Sequence, residues 1–225
     1  CSVSISGQIY YIDNPIDVLR SLNKVNPTIF VAVPRLYEKI YDGALHKIRK
    51  SRLTHFVFSI AMFIGHRRAQ LIQKGKPVGI LTRALFRVAS FFVLNSIKSI
   101  FGKKILFLVS GSAPLRKEIL DFFHACDLLI LEAYGTSENI VPIAMNRFSD
   151  FKLGSVGKPL IPNSVKISYD GEVLIQGASV FKGYLNQNNA QLFSDGFYHT
   201  GDIGSFDAQG FLSLKGRKGD VFKTS

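Results

Sequence analysis

At 225 residues, with 47% hydrophobic and 20% charged side chains, the chain has the composition of a folded globular protein able to bury a sizeable core. Its two cysteines, Cys1 and Cys126, exclude a disulfide framework and a four-ligand zinc site, and fit a reducing, cytoplasmic setting. The net charge of +12 is lopsided: residues 1–110 carry 17 Lys or Arg against 4 Asp or Glu, and 44–104 hold 13 basic residues and no carboxylate. A nucleic-acid partner is not expected, because no basic-aromatic interleaving on a sheet and no recognition motif accompanies that charge. The longest apolar run, FVFSIAMFIG at 56–65, falls well short of the roughly 18 residues of a spanning helix.

In chain order, CSVSISGQIYYID reads as the end of a strand already under way, which suggests a piece of a longer protein, and GQIYY itself is strand-like. The Asp13-Asn14-Pro15 signal starts a helix with Ile16, Leu19 and Leu22 on its apolar side. PTIFVAV follows as a strand ended by Pro34. From Arg35 to about Ile100 the periodicity is helical, broken at the turn Gly75-Lys76-Pro77-Val78-Gly79. This basic helical insert, at about 44–104, has two readings. It packs its aromatics inward and leaves a solvated basic face, or it binds an anionic membrane surface with about 1 kcal/mol per basic residue near the headgroups.

KILFLVSGSAPL at 104–115 is a buried-type strand leading to a small-residue loop, RKEILDFFHAC a helix, and LLILEAYGTSE a second strand with a polar loop. In an open α/β sheet, loops leaving the carboxyl ends of such strands bind ligands, so these two are candidate walls of one site. After Asp150 short alternating strands and glycine turns take over, as in SVKISYDGEVLIQG and FYHTGDIGSFDAQGFLSLKG. The expected architecture is α/β: an αβ-layered portion over 1–150 with parallel strands and the helical insert, then a small twisted β-subdomain over 151–225.

The loops hold the polar chemistry. In SGSAPL, Gly111, Ser112 and Ala113 let backbone approach a flat ligand and Pro114 stiffens the exit, although an ordinary strand-to-helix connection looks the same. In AYGTSE, Tyr134 offers a ring face, Thr136 and Ser137 offer hydroxyl donors, and Glu138 offers a carboxylate for a hard cation. The alternative is that Ser137 and Glu138 cap a following helix. In YHTGDIG, Asp202 suits a ribose diol, or else Gly201-Asp202 makes a hairpin turn; GRKGD at 216–220 is either functional or a charged turn.

SGSAPL, EAYGTSE, YHTGDIG and GRKGDVFKTS, in this order, resemble the adenylate-forming superfamily of acyl-CoA synthetases and ligases. PTIFVAVPRLYEKIY at 27–41 is similar to a segment of its long-chain fatty acid branch. The resemblance implies part of that family's large N-terminal domain, truncated at both ends, acting on ATP, Mg2+, coenzyme A and a long-chain fatty acid. It implies that Gly111, Ser112, Ala113 and Pro114, with the backbone at Glu132, Ala133, Tyr134 and Gly135, hold adenine, Tyr134 lying along its ring. Thr136 joins the same nucleotide loop, Ser137 contacts the α-phosphate and Glu138 holds Mg2+. Asp202 takes the ribose hydroxyls, Arg217 assists at the ribose and α-phosphate, and Asp220 lies at the interdomain hinge.

The implied chemistry is attack of a fatty carboxylate on the α-phosphate of ATP, then transfer of the acyl group to coenzyme A. Against the family pattern, this sequence has no Ser/Thr/Gly-rich phosphate loop and no lysine-bearing C-terminal domain, and Gly219 stands where many members have a basic residue. The isolated 225 residues are therefore expected to be inactive. The alternatives are a non-catalytic adenylate- or lipid-binding remnant and an acyl-acyl carrier protein synthetase. The expected location is cytoplasmic, with a peripheral membrane contact as the variant that the basic insert would supply.

Overall fold

The computed structural model describes residues 7–14, 17–49, 52–73, 75–91, 95–186, 188–189 and 191–221. Pro15 and Ile16, where the sequence sets the first helix signal, lie outside the described residues, as do 222–225. The chain divides into two compact units, one formed by Cys1–Phe30, Ala44–Leu108 and His124–Leu128, the other by Val31–Gly43, Val109–Phe123 and Leu129–Ser225.

In the first unit, GQIYY is not a strand: residues 7–12 join no ladder, and Ile9, Tyr10 and Tyr11 are exposed. Alternation supplies a face, but a strand also needs a hydrogen-bonded neighbour. Helix α1 (Val18–Val25) buries Leu22 and ends at Asn26 in the left-handed region, whose N–H reaches Leu22 O at 2.7 Å. The Asn26 side chain then accepts the N–H groups of Lys103 and Lys104 at 2.7 and 3.1 Å.

Helix α2 (Pro34–Arg49) starts at Pro34, where a missing N–H costs nothing. Helix α3 (Arg52–Gln73) closes in a Schellman turn, with Gly75 at φ +63 and the bonds Gly75 N–H to Ile72 O and Lys76 N–H to Leu71 O. It buries Phe58, Ala61, Met62 and Ala69, one face at helical spacing, and Gly65 on that face meets the Ala125 carbonyl so closely that a Cβ would lie 2.4 Å from its oxygen. Helix α4 (Ile80–Ala89) packs back through Phe86, whose ring centroid lies 4.4 Å from the Arg68 guanidinium. A short helix α5 (Asn95–Lys98) and a 3-10 turn at Ser99–Phe101 complete the helical run expected from periodicity.

The second unit carries most of the two sheets. Strands β1 (Ile29–Ala32), β2 (Phe107–Ser110), β3 (Ile130–Tyr134), β4 (Ala144–Met145) and β5 (Lys158–Pro159) lie side by side in that order. The carboxyl ends of β1 and β2 belong to this unit. Helix α6 (Lys117–Ala125) joins β2 to β3, as a crossover between neighbouring strands requires. The α/β architecture is as expected, but the sheet is mixed rather than purely parallel: β4 pairs antiparallel with β3 and β5 with β4. Tyr37 of α2 donates to Val109 O at 2.9 Å and meets Phe123 edge-on at 5.9 Å.

A second sheet runs β10 (Leu212–Arg217), β9 (Phe197–Phe206), β7 (Glu172–Ile175), β6 (Val165–Ile167), with β8 (Phe193–Ser194) pairing β9 off this path. Its inner face and the first sheet share a core of Tyr134, Ile143, Ala144, Val156, Val173, Ile175, Tyr198 and Leu212. Helix α7 (Lys218–Val221) follows β10 directly.

Candidate functional site

The two loops singled out in the sequence converge on an open cleft of about 790 Å³ within the second unit. Gly111 and Ser112 form one wall, residues 133–142 a second, and Tyr184, Tyr198, Thr200 and Arg217 the third. Ser112 sits in the left-handed region at φ +73, uncommon for a residue with a Cβ and a form of backbone strain that collects at functional sites. Ala113, Pro114, Glu132, Asp202 and Asp220 do not line the cleft. Glu132 braces it instead: its Oε1 accepts the Leu115 N–H at 3.2 Å, tying β3 to the exit of the SGSAPL loop. Burial pushes its carboxyl up to about 6, against the lowering by N–H donors of Leu115 and Gly154.

No helix follows Glu138, so the capping reading of Ser137 and Glu138 is excluded. The chain turns at 137–138, Asn139 bridges Val180, and the loop is fixed by backbone bonds from Phe181 to Glu138, Ile140 to Ser179 and Ile143 to Tyr134. Pro142, which lacks an N–H, sits at the end of this irregular stretch. Glu138 accepts the Tyr184 hydroxyl at 2.5 Å, and this bond, ahead of Thr136 and Arg217, holds its carboxyl below the usual range. Thr136 Oγ1 lies near enough to Glu138 to assist, yet it is buried and makes no hydrogen bond of good geometry.

The hairpin-turn reading of Gly201-Asp202 is also excluded, because both lie inside β9. His199 and Ile203 of β9 stand opposite Leu174 and Glu172 of β7, so β9 carries extra residues there, a bulge in which Gly201 takes φ +72. The bulge presents Asp202 to Tyr134, whose hydroxyl donates to Asp202 Oδ2 at 2.6 Å. Arg217 Nε stands 3.1 Å from Asp202 Oδ1, and its Nη1 donates to Thr200 O at 3.1 Å. Burial, then the bond to Asp202, raises the Tyr134 phenol far above its ordinary range, so it remains a donor. A carboxylate has about four acceptor positions, so Asp202 retains room for further donors.

Sequence reasoning missed Tyr198, Thr200, Tyr184 and the 139–142 segment as cleft walls. Tyr198 and Thr200 were legible in principle, standing four and two residues before Asp202 on the same face of an alternating strand. Tyr184 gave no local signal, since it meets Glu138 across 46 residues. Cys126 takes no part: it is buried just beyond α6, and burial pushes its thiol up to about 12, the state of an inert core cysteine. Asp220 lies exposed in α7, next to the Lys218 that pairs with Asp170 and Glu172.

The model of a family described as AMP-binding enzyme matches residues 1–185. The chain is 36% identical over 211 residues to the long-chain-fatty-acid-CoA ligase FadD15 of Mycobacterium bovis, covering 93% of this chain and 35% of that protein. It is 31% identical over 238 residues to long-chain-fatty-acid-CoA ligase 5 of Rattus norvegicus, covering 98% and 33%. Thus it spans about a third of the length of these relatives. In fold it is similar to o-succinylbenzoate coenzyme A synthetase of Bacillus subtilis, solved with ATP and magnesium, with a TM-score of 0.60 and 22% identity over 97% of this chain and 38% of that one. With the match of the family model over most of its length, the chain belongs to the AMP-binding enzyme family.

Proposed function

We propose that the cleft is the adenylate-binding part of a long-chain fatty acid:CoA ligase of the AMP-forming kind. The observation that carries this reading is the Tyr134-Asp202-Arg217 cluster, in which Tyr134 and Arg217 line the cleft with Thr136, Ser137 and Glu138 and Asp202 bonds to both from behind them. Ser112 and the 133–135 backbone take the adenine, with Tyr134 beneath it, and Asp202 takes the ribose hydroxyls while Arg217 reaches from ribose to α-phosphate. Ser137 donates to the α-phosphate. Such a reaction asks for placement and charge stabilisation rather than a protein nucleophile, and a cleft of fixed donors supplies both.

Glu138 suits a divalent cation, since its carboxyl is held ionised at the cleft and the buried Thr136 hydroxyl beside it makes no hydrogen bond of good geometry. Among the described residues no three His, Cys, Asp or Glu side chains gather to hold a metal. One carboxylate with substrate phosphates is a common Mg2+ arrangement. Bound there, Mg2+ would neutralise charge on the phosphates during displacement of pyrophosphate. Coenzyme A is the proposed acceptor, and Asp220 the proposed hinge position beyond the cleft.

The test is pyrophosphate exchange by the intact protein with ATP, Mg2+ and a long-chain fatty acid. Fatty-acid-dependent exchange that falls at least tenfold in Glu138→Gln is expected, and exchange indifferent to fatty acid would overturn the reading. Thioester formed on coenzyme A but not on acyl carrier protein would fix the acceptor.

The same substrate class favours a contact with an anionic membrane surface. On α3, Phe56, Ile60 and Phe63 lie exposed at helical spacing, followed by Arg67 on the same face; on α4, Leu81, Leu85 and Val88 are also exposed on one face, while Arg83 and Arg87 are exposed on another. No described helix is long and apolar enough to cross a membrane. An exposed apolar stripe that ends in a cation, as on α3, matches the headgroup boundary of anionic lipid. Sedimentation with anionic but not neutral vesicles is the expected result, and equal recovery with both would remove the electrostatic part.

A further inference from the structure

We propose that Ser194, His199 and Glu172 form an activated-serine relay on the face of β9 turned away from the cleft, and that Ser194 Oγ accepts an acyl group from activated esters. Ser194 Oγ stands 2.8 Å from His199 Nε2, and His199 Nδ1 stands 3.0 Å from Glu172 Oε2. This is the order that activates a hydroxyl: nucleophile, base, and a carboxylate that orients the base.

The carboxylate is firmly placed. Glu172 is buried, its Oε1 accepts the Gly201 N–H at 2.9 Å, and its Oε2 accepts Lys218 Nζ at 2.9 Å. Burial alone would raise its pKa, but the bonds from His199, Lys218 and Gly201 outweigh it and keep the group ionised. An ionised oxygen at Nδ1 selects the imidazole tautomer with its proton there, which leaves Nε2 free to accept the Ser194 hydroxyl.

The relay is distinct from the cleft. Tyr198 and Thr200 line the cleft, and His199 between them points to the opposite face of the strand. Ser194 pairs across the hairpin with Phe197, which puts it diagonally beside His199 on that face. Among the described residues β8 pairs β9 alone, and the tight turn at Asp195 and Gly196, with φ +49 and +79, leaves the serine at a sheet edge. Ser194 is half-buried and the His199 side chain is 32% exposed, so an ester can reach both.

In the step, Ser194 Oγ forms a bond to the ester carbonyl carbon as its proton passes to His199 Nε2. The bond from that carbon to the leaving oxygen then breaks, and the leaving group departs with the proton as an alcohol or phenol. The products are an O-acyl serine and one alcohol, with no change of oxidation state. ATP and the cleft play no part.

The experiment treats the intact protein with p-nitrophenyl acetate and, in parallel, with a fluorophosphonate, and maps the adduct by mass spectrometry. A burst approaching one nitrophenol per chain with the adduct on Ser194 is expected. Ser194→Ala should abolish it, Ser194→Cys should restore a nucleophile and show that the site still folds, and His199→Ala should slow it about 100-fold. No adduct at Ser194, or an adduct formed at an unchanged rate in His199→Ala, would overturn the proposal.

Discussion

The two units treat charge in opposite ways. In the second unit, acidic side chains are buried and shared: Asp202 takes Tyr134 and Arg217, Glu172 takes Gly201, His199 and Lys218, and Glu132 takes backbone N–H groups. In the helical unit most described cations are exposed, and Asp127 alone among the described carboxylates there meets two of them, Arg68 at 2.9 Å and Lys98 at 3.1 Å. Burial would raise the Asp127 pKa, but Lys98 and Arg68 outweigh it and hold it low. Polar groups become a fixed site where backbone donors and several partners meet one carboxylate. Exposed cations remain a field for something outside the chain.

The sharpest ways to break this contrast are steric. Gly157 bridges Leu212 at φ +88, and a Cβ there would lie 2.0 Å from Met145 C. Gly157→Ala should therefore lose about 3 kcal/mol or more of unfolding free energy in urea and reduce AMP affinity with it. Gly65→Ala would drive a Cβ to 2.4 Å from Ala125 O and should cost about 2 kcal/mol. Its increase in amide exchange should centre on α3 and leave β9 unchanged; equal increases in both would erase the distinction between the units.

Glu132 tests the buried-carboxylate side. Its folded pKa of about 6 lies above the ordinary 4.5, so the folded chain binds the proton more tightly. Stability is fully present below about 4.5 and is lost as pH rises through about 6, to the extent of about 2 kcal/mol. Glu132→Gln, which mimics the protonated form, should flatten that part of the profile. Superimposable profiles for the two proteins would show the carboxyl to be unshifted.

The smallest effect belongs to Asp127→Asn, about 0.5 kcal/mol, because the carboxylate is 43% exposed and solvent screens both pairs. High salt should reproduce most of it in the unsubstituted protein. A loss several times larger would mean that the helical unit depends on charge pairing as the cleft does.

Much of the cleft was legible because its parts are local. β2 and β3 announce themselves as apolar runs, and small residues at 110–113 and 135–137 mark the loops at their ends. Other features were not, because they are relations between distant segments. A Ser-Glu pair looks alike before a helix and in an irregular loop, and the bonds from 138 and 140 to the 179–181 segment show the loop and exclude the cap. Gly201-Asp202 reads as a turn until the register with β7 shows a bulge. GQIYY has a strand's alternation but no partner supplies its ladder.

By itself the sequence determined the αβ order, the long basic helical run and the residue types of the cleft, since propensity, periodicity and loop chemistry act over a few residues. Only the tertiary structure decided that Tyr134, Asp202 and Arg217 meet, that Tyr184 holds Glu138, and that Ser194, His199 and Glu172 stand in line. The first and the last depend on strand register, which is set by pairing across the sheet rather than by neighbours in the chain, and the second on two loops 46 residues apart.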